Sequence, residues 1–165
     1  IGKRLGLSSE EIENLKDCAY LHDIGAIGIP DQILSKPGRL SEEEYALIKQ
    51  HTLIGAHILK DITLVPHLVE VTKSHHERYD GNGYPDGLKG EDIPIAAQVV
   101  ALADAYDALV SKRAYKESLS QAEAFDMLQR GECGAFQPLL LECLIESKDE
   151  IQRKYDETID ADYIL

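Results

Sequence analysis

HHERYDGNGYPDGLKGEDIPIAAQVVALADAYDAL, residues 75–109, passes through three backbone regimes in succession. Leu68, Val71 and Thr72 lead into it at helical spacing, with Pro66 suited to a first helical turn, so His75 and His76 stand near a helix end. From Arg78 to Asp92, Gly81, Gly83, Gly87, Gly90 and Pro85 break the periodicity, which predicts a loop too long to be a plain connector. Pro94 then opens another helix. Ile95, Val99, Leu102, Tyr106 and Leu109 form one stripe along it, and Val100, Ala103, Asp104 and Asp107 form the neighbouring stripe. That register places both aspartates close to the buried side.

Helical signals continue outward from this segment. Ser8 and Glu11 have capping-box spacing, and Ile12, Leu15 and Ala19 follow at helical intervals up to His22, which the periodicity turns inward. Gly25, Gly28 and Pro30 stop that helix, Asp31 to Leu34 reads as a short turn or helix, and Pro37-Gly38 is a break. Ser41 and Glu44 begin a further helix, in which Leu47, Ile54 and Ile58 share a face with His51. Ser120 and Glu123 mark a third cap ahead of buried Ala124, Phe125 and Leu128, and Pro138 starts a last helix running to about Tyr155. After Asp156 the tail is acidic and reads as frayed. With no strand-like alternation, repeat or low-complexity tract, the fold expected is an all-α bundle.

A chain of 165 residues, 44% apolar and 28% charged, suits one domain with a substantial core. No apolar run is long enough for a bilayer, so the chain reads as soluble and cytoplasmic, without a membrane partner. Its formal charge of −13 argues against broad contact with polymeric nucleic acid or anionic lipid, and a phosphate ligand has to find local positive charge. Cys18, Cys133 and Cys143 are odd in number and lack a CxxC pair, which favours reduced, buried thiols over disulfides or a thiolate zinc site. Ile1-Gly2-Lys3-Arg4-Leu5 carries no signal-peptide pattern and reads as the end of a helix cut from a longer protein.

Any one of His22, His51, His75 and His76 is explained as a hydrogen-bonded core histidine. Together with Asp23 and Asp104 at or near inward positions they would make a core in which every polar group needs a partner, and metal can partner all of them. Adjacent residues on a helix project about 100° apart, so His22-Asp23 and His75-His76 suit two ions better than one. Asp23 is then the candidate bridge, with Asp104 closing the cluster from another helix. Imidazole and carboxylate ligands suit iron, manganese or zinc alike. Two cations also acidify a water or hydroxide bridging them and offset charge developing on phosphorus, which removes the need for a side-chain nucleophile.

The segments HDIGAIGIPD (22–31), HTLIGA (51–56), HHERYDGNGYPDGLKGEDIP (75–94) and ALADAYDAL (101–109), in this order, resemble the HD-GYP family of the HD phosphohydrolases over nearly the whole chain. The resemblance implies an HD-domain helical bundle with two or three divalent metal ions, iron or manganese, and hydrolysis of cyclic di-GMP to pGpG or GMP. Residue by residue it implies His22, Asp23, His51, His75, His76 and Asp104 as metal ligands, with Asp23 and Asp104 central to catalysis and Asp107 in a supporting role. Arg113 and Lys116 match positions that hold substrate phosphate. As a fork and a point charge one helical turn apart they suit that task, with surface solvation the plain alternative. Tyr84 either stacks on a guanine or, with Pro85, pins the loop or forms a docking surface. The resemblance further implies contact of the Gly83-Tyr84-Pro85 loop with diguanylate cyclase domains, and an upstream sensor or receiver domain in the parent chain. His57 and His67 match no such role.

Two departures from the family pattern bear on activity. Family members usually carry lysine directly after the HDIG tetrad, where Ala26 stands here. Losing one charge-assisted hydrogen bond costs on the order of 1.5–3 kcal/mol, about ten- to a hundredfold in rate. Members also place a further histidine on a helix preceding the region of Ile1, which residues 1–165 do not include. Three readings follow: a cyclic di-GMP phosphodiesterase domain slowed by Ala26, an impaired module that binds nucleotide or docks a cyclase, and an HD phosphohydrolase of another nucleotide.

Overall fold

Serine caps and glycine breaks divide the chain much as its spacing predicts. A computed structural model describes residues 1–62, 64–111 and 118–154. Its elements are α1 (Ser9–Leu21), a 3-10 turn (Ile24–Gly28), α2 (Asp31–Leu34), α3 (Glu42–Lys49), α4 (His51–Leu59) and α5 (Leu68–Ser74). A second 3-10 turn (Gly90–Asp92), α6 (Ile95–Val110), α7 (Gln121–Gln129) and α8 (Pro138–Glu146) follow, and residues 148–154 are again helical. No strand occurs among the described residues, as expected of an all-α bundle. Ser8, Ser41 and Ser120 each complete a capping box with Glu11, Glu44 and Glu123, which satisfies amides that α1, α3 and α7 would otherwise leave unpaired.

α6 is the shared wall of two apolar clusters. On one side Val99, Leu102, Leu109 and Val110 pack with Ala124, Phe125 and Leu128 of α7 and Leu140 and Leu144 of α8. On the other, Ala96, Ala97 and Val100 pack with Cys18, Leu59, Leu68 and Val71, from α1, α4 and α5. Burying the valine, leucine and phenylalanine side chains among these contributes roughly 1.5–3 kcal/mol each, which fixes the helices around α6. Arg4 ties the start of the chain to α8 through Glu146 and Ser147. Cys18 and Cys143 are buried and Cys133 partly so, all three as free thiols.

Four expectations change in detail. The helix read from Ser41 through Ile58 is two helices, because the ladder is interrupted at Gln50, whose N–H bonds the Leu47 carbonyl. His51 and Ile54 stay on the inner side, but Leu47 and Ile58 are 47% and 45% exposed. Pro66 lies outside α5, since His67 adopts a left-handed φ of 65° and the helix begins only at Leu68. Along α6 the stripe holds at Val99, Leu102 and Leu109, whereas Ile95 is exposed in the first turn. The final helix is interrupted at Ser147, and its expected end at Tyr155, like the tail beyond, lies outside the described residues.

Candidate metal centre

The close approach of the first 3-10 turn to α4 is what creates the centre. A Cβ on Gly25 would stand 1.9 Å from the His51 carbonyl oxygen, and one on Gly55 would stand 2.6 Å from Thr72 Cγ2. Only glycine lets these backbones touch. Asp23, between α1 and the turn, is thereby carried to His51 at the start of α4 and to His75 just past α5.

Three ligand-type atoms meet in a small triangle. Asp23 Oδ1 lies 3.2 Å from His51 Nε2 and 3.4 Å from His75 Nε2, and the two nitrogens are 3.3 Å apart. Atoms held about 2.0–2.2 Å from one common ion stand roughly 3.0–3.5 Å from one another, so the spacing fits a shared cation. Nδ1 of His51 is 2.6 Å from the Ile48 carbonyl oxygen, and Nδ1 of His75 is 3.0 Å from that of Thr72. A carbonyl only accepts, so each Nδ1 carries a proton and each neutral ring turns an Nε2 lone pair towards the triangle. Two lone pairs facing each other beside a carboxylate call for positive charge at their focus, from a proton or a metal ion.

Electrostatics around the triangle agree. Contact with the His51 and His75 rings, whose Nε2 atoms offer a place for positive charge, holds the Asp23 carboxyl well below the usual carboxylate range. Burial alone would lower the His51 pKa, but Asp23 together with the Ile48 carbonyl raises it overall. His76 is pushed down to about 3 by burial and by the neighbouring histidines His75 and His51, and so stays neutral and able to bind a cation. Asp23, His51, His75 and His76 offer ligand atoms that all lie within 4.8 Å of one another.

His22 and Asp104 flank the same carboxylate. His22 Nε2 is buried with no hydrogen-bond partner among the described residues, 3.4 Å from Asp23 Oδ2 and 4.0 Å from Asp104 Oδ1, while its Nδ1 is anchored 2.6 Å from the Ala19 carbonyl oxygen. Asp23 therefore turns Oδ1 to His51 and His75, and Oδ2 to His22. The six residues expected as ligands come together at one place. Asp107 does not: it is exposed, and its Oδ1 accepts from the Ser111 hydroxyl at 2.9 Å, because the α6 stripe that holds Asp104 near the site rotates Asp107 outward. Arg113 and Lys116 lie outside the described residues.

A cavity of about 460 Å³ opens beside the cluster, lined by His75, His76, Asp104, Tyr45, Arg78, Tyr84 and the Gly134–Phe136 turn among others. Ala26 sits in the 3-10 turn after Asp23 and brings no charge. Lys49 does bring one near the loop, its Nζ 5.2 Å from the Tyr45 ring centre and 5.9 Å from that of Tyr84. Neither Lys49 nor buried Glu77 stands out in the sequence. Glu77 accepts N–H bonds from Asp86, Gly87 and Leu88, and the available signal is only that loop amides without a helix need an acceptor.

The HD domain family matches residues 1–136. The chain belongs to the HD domain family. HD-domain phosphohydrolases are metal dependent, and the histidine–aspartate cluster of this HD domain is able to bind metal. The chain is 41% identical over 164 residues to a cyclic di-GMP phosphodiesterase of Thermotoga maritima, covering 98% of this chain and 45% of that protein. It is 40% identical over 147 residues to a 3'3'-cGAMP-specific phosphodiesterase 2 of Vibrio cholerae, covering 88% of this chain and 28% of that protein. The HD domain thus spans less than half the length of these relatives. The crystal structure of the cyclic GMP-AMP specific phosphodiesterase V-cGAP3 of V. cholerae superposes with a TM-score of 0.64 at 22% identity, over 88% of this chain and 41% of that one, which supports the fold. Among the described residues no helix is long and apolar enough to cross a membrane.

Proposed function

We propose that this HD domain is a metal-dependent phosphodiesterase that hydrolyses cyclic di-GMP to pGpG or GMP. The observation that carries the reading is the convergence of Asp23 Oδ1 with the Nε2 atoms of His51 and His75, at 3.2–3.4 Å. His22, Asp23, His51, His75, His76 and Asp104 would hold two or three divalent ions, iron or manganese, with Asp23 as the shared carboxylate. When bound, such ions acidify a water and offset the charge that develops on phosphorus.

The protein's own residues then bind and orient. The cavity beside the cluster receives one nucleotide of the substrate, with Tyr45 and Arg78 among the groups lining it. Arg113 and Lys116 hold phosphate on this reading, on the strength of their match to the family pattern. Residues 1–165 would act as one domain of a longer, cytoplasmic signalling protein with an upstream sensor or receiver. The Gly83-Tyr84-Pro85 loop would offer a contact for diguanylate cyclase domains. Two relatives named for different cyclic dinucleotides support the substrate class more strongly than the choice of guanine or adenine.

Ala26 favours a second reading, an impaired module that binds nucleotide without turning it over, because no cation follows the Asp23 segment at that position. Manganese-loaded parental protein and Ala26→Lys, incubated with cyclic di-GMP and with 3'3'-cGAMP, separate the two, the products being followed by chromatography. Turnover by the parental chain supports the phosphodiesterase. Tight binding without turnover, repaired by Ala26→Lys about ten- to a hundredfold, supports the module. Neither binding nor turnover of either dinucleotide by either protein overturns both.

A further inference from the structure

Three of the four clustered histidines are oriented alike, and the fourth is not. His22, His51 and His75 each place Nδ1 on a backbone carbonyl oxygen. His76 makes no side-chain hydrogen bond among the described residues. Its ring stacks instead on Tyr84, with centres 4.8 Å apart and planes inclined by 27°. The Tyr84 N–H donates to the His76 carbonyl oxygen at 3.1 Å, so backbone and ring both join the two residues.

The loop bearing Tyr84 is held closely against the segment bearing His76. Gly83 lies flush on it, since a Cβ there would be 2.3 Å from the Arg78 nitrogen. Glu77, only 6% exposed, accepts N–H bonds from Asp86 at 2.7 Å, Gly87 at 3.1 Å and Leu88 at 2.9 Å. A buried carboxylate satisfied by three amides is a strong anchor, because each bond is charge-assisted and the alternative is an unpaired buried charge.

We propose that this loop is an outer brace of the metal centre, in which Tyr84 is a positioning residue that orients the His76 ring and Glu77 is the clasp that keeps Tyr84 in place. The inference rests on the metal-binding reading above. A ligand whose ring is already oriented loses less freedom on binding, and outer partners of ligating histidines typically govern metal affinity about 10–100-fold. The Tyr84 hydroxyl makes no hydrogen bond among the described residues, so Tyr84 acts through its aromatic face, on a His76 ring that His75 and His51 also touch, at 4.2 and 5.1 Å between centres. The brace gives the loop a task at the centre besides any contact with substrate or partner.

The test is a titration of metal-free protein with Mn²⁺, free Mn²⁺ being read by electron paramagnetic resonance and helix content by circular dichroism. Tyr84→Phe keeps the stack and is expected to bind within about threefold of the parental chain, while Tyr84→Leu binds about 10–100-fold more weakly. Glu77→Gln turns an amide N–H towards the Leu88 N–H, donor against donor, and weakens binding by about tenfold. Full affinity in Tyr84→Leu overturns the inference, as does a Tyr84→Phe variant as weak as Tyr84→Leu. Should Tyr84→Leu fail to fold, unchanged affinity in Glu77→Gln overturns it instead. A parental chain that takes up no manganese defeats the metal reading and this inference together, whereas parental uptake unaltered in the variants defeats this inference alone.

Discussion

The two sides of α6 are built on different terms. Towards α7 and α8 the cluster is aliphatic and aromatic, with Leu102, Leu128 and Leu140 almost wholly buried. Towards α4 and α5 the residues of α6 are smaller, Ala96, Ala97 and Val100, and those two helices with the residue after α5 bury His51, Thr52, Thr72 and His75. One side gains stability from every buried carbon. The other spends burial on polar groups whose partners converge on a common point. Stability and metal chemistry are divided between the halves, so substitutions should separate them.

The sharpest test of that division is Asp23→Ala. It is expected to lower cyclic di-GMP hydrolysis by at least about 10⁴-fold, while the metal-free protein still folds, since both apolar clusters are untouched and melting loses only the contacts of Asp23 with the histidines. Leu128→Ala is the converse: a denaturant titration should show a loss of about 2–5 kcal/mol, with manganese affinity of the folded protein unchanged. If Leu128→Ala weakened metal uptake as strongly as Asp23→Ala, the division would be wrong.

Acidity should act on one half alone. The His51 pKa is raised above the ordinary histidine value of 6.5, and only the unprotonated ring takes a cation. Manganese affinity, measured by isothermal titration across pH 5–8, should therefore fall by about tenfold per pH unit once pH drops below that raised value. In the metal-free protein the sign reverses: the proton on His51 favours the fold, fully below pH 6.5 and less as pH rises through the raised pKa. The smallest effect expected is from Ser120→Ala, about 1 kcal/mol lost at the α7 cap by thermal melting, with no change in metal binding.

Much of this arrangement is legible before any coordinates. Ser8, Ser41 and Ser120 announce their helices because a cap is a local contract between residues three apart. His22, His51, His75 and His76 stand out because four imidazoles are costly to bury without a common partner. Positions that depend on a change of backbone direction are less visible. Leu47 and Ile58 follow the helical period of His51, yet both are exposed: the interruption at Gln50 takes Leu47 out of register, and Ile58 lies two turns farther along α4 than His51. Asp107 shares a stripe with Asp104 but has rotated away from the cluster by the next turn. Glu77 resembles any surface glutamate in sequence, and only the folded loop brings it the amides of residues 86–88.

Gly25 meets the α4 backbone directly. Where two segments touch through main chain, their separation is set by peptide geometry, and no side-chain volume enters it. The neighbouring apolar residues can then vary in size while Asp23 keeps its place beside His51. A single added methyl at position 25 would force the two backbones apart and carry Asp23 away from His51.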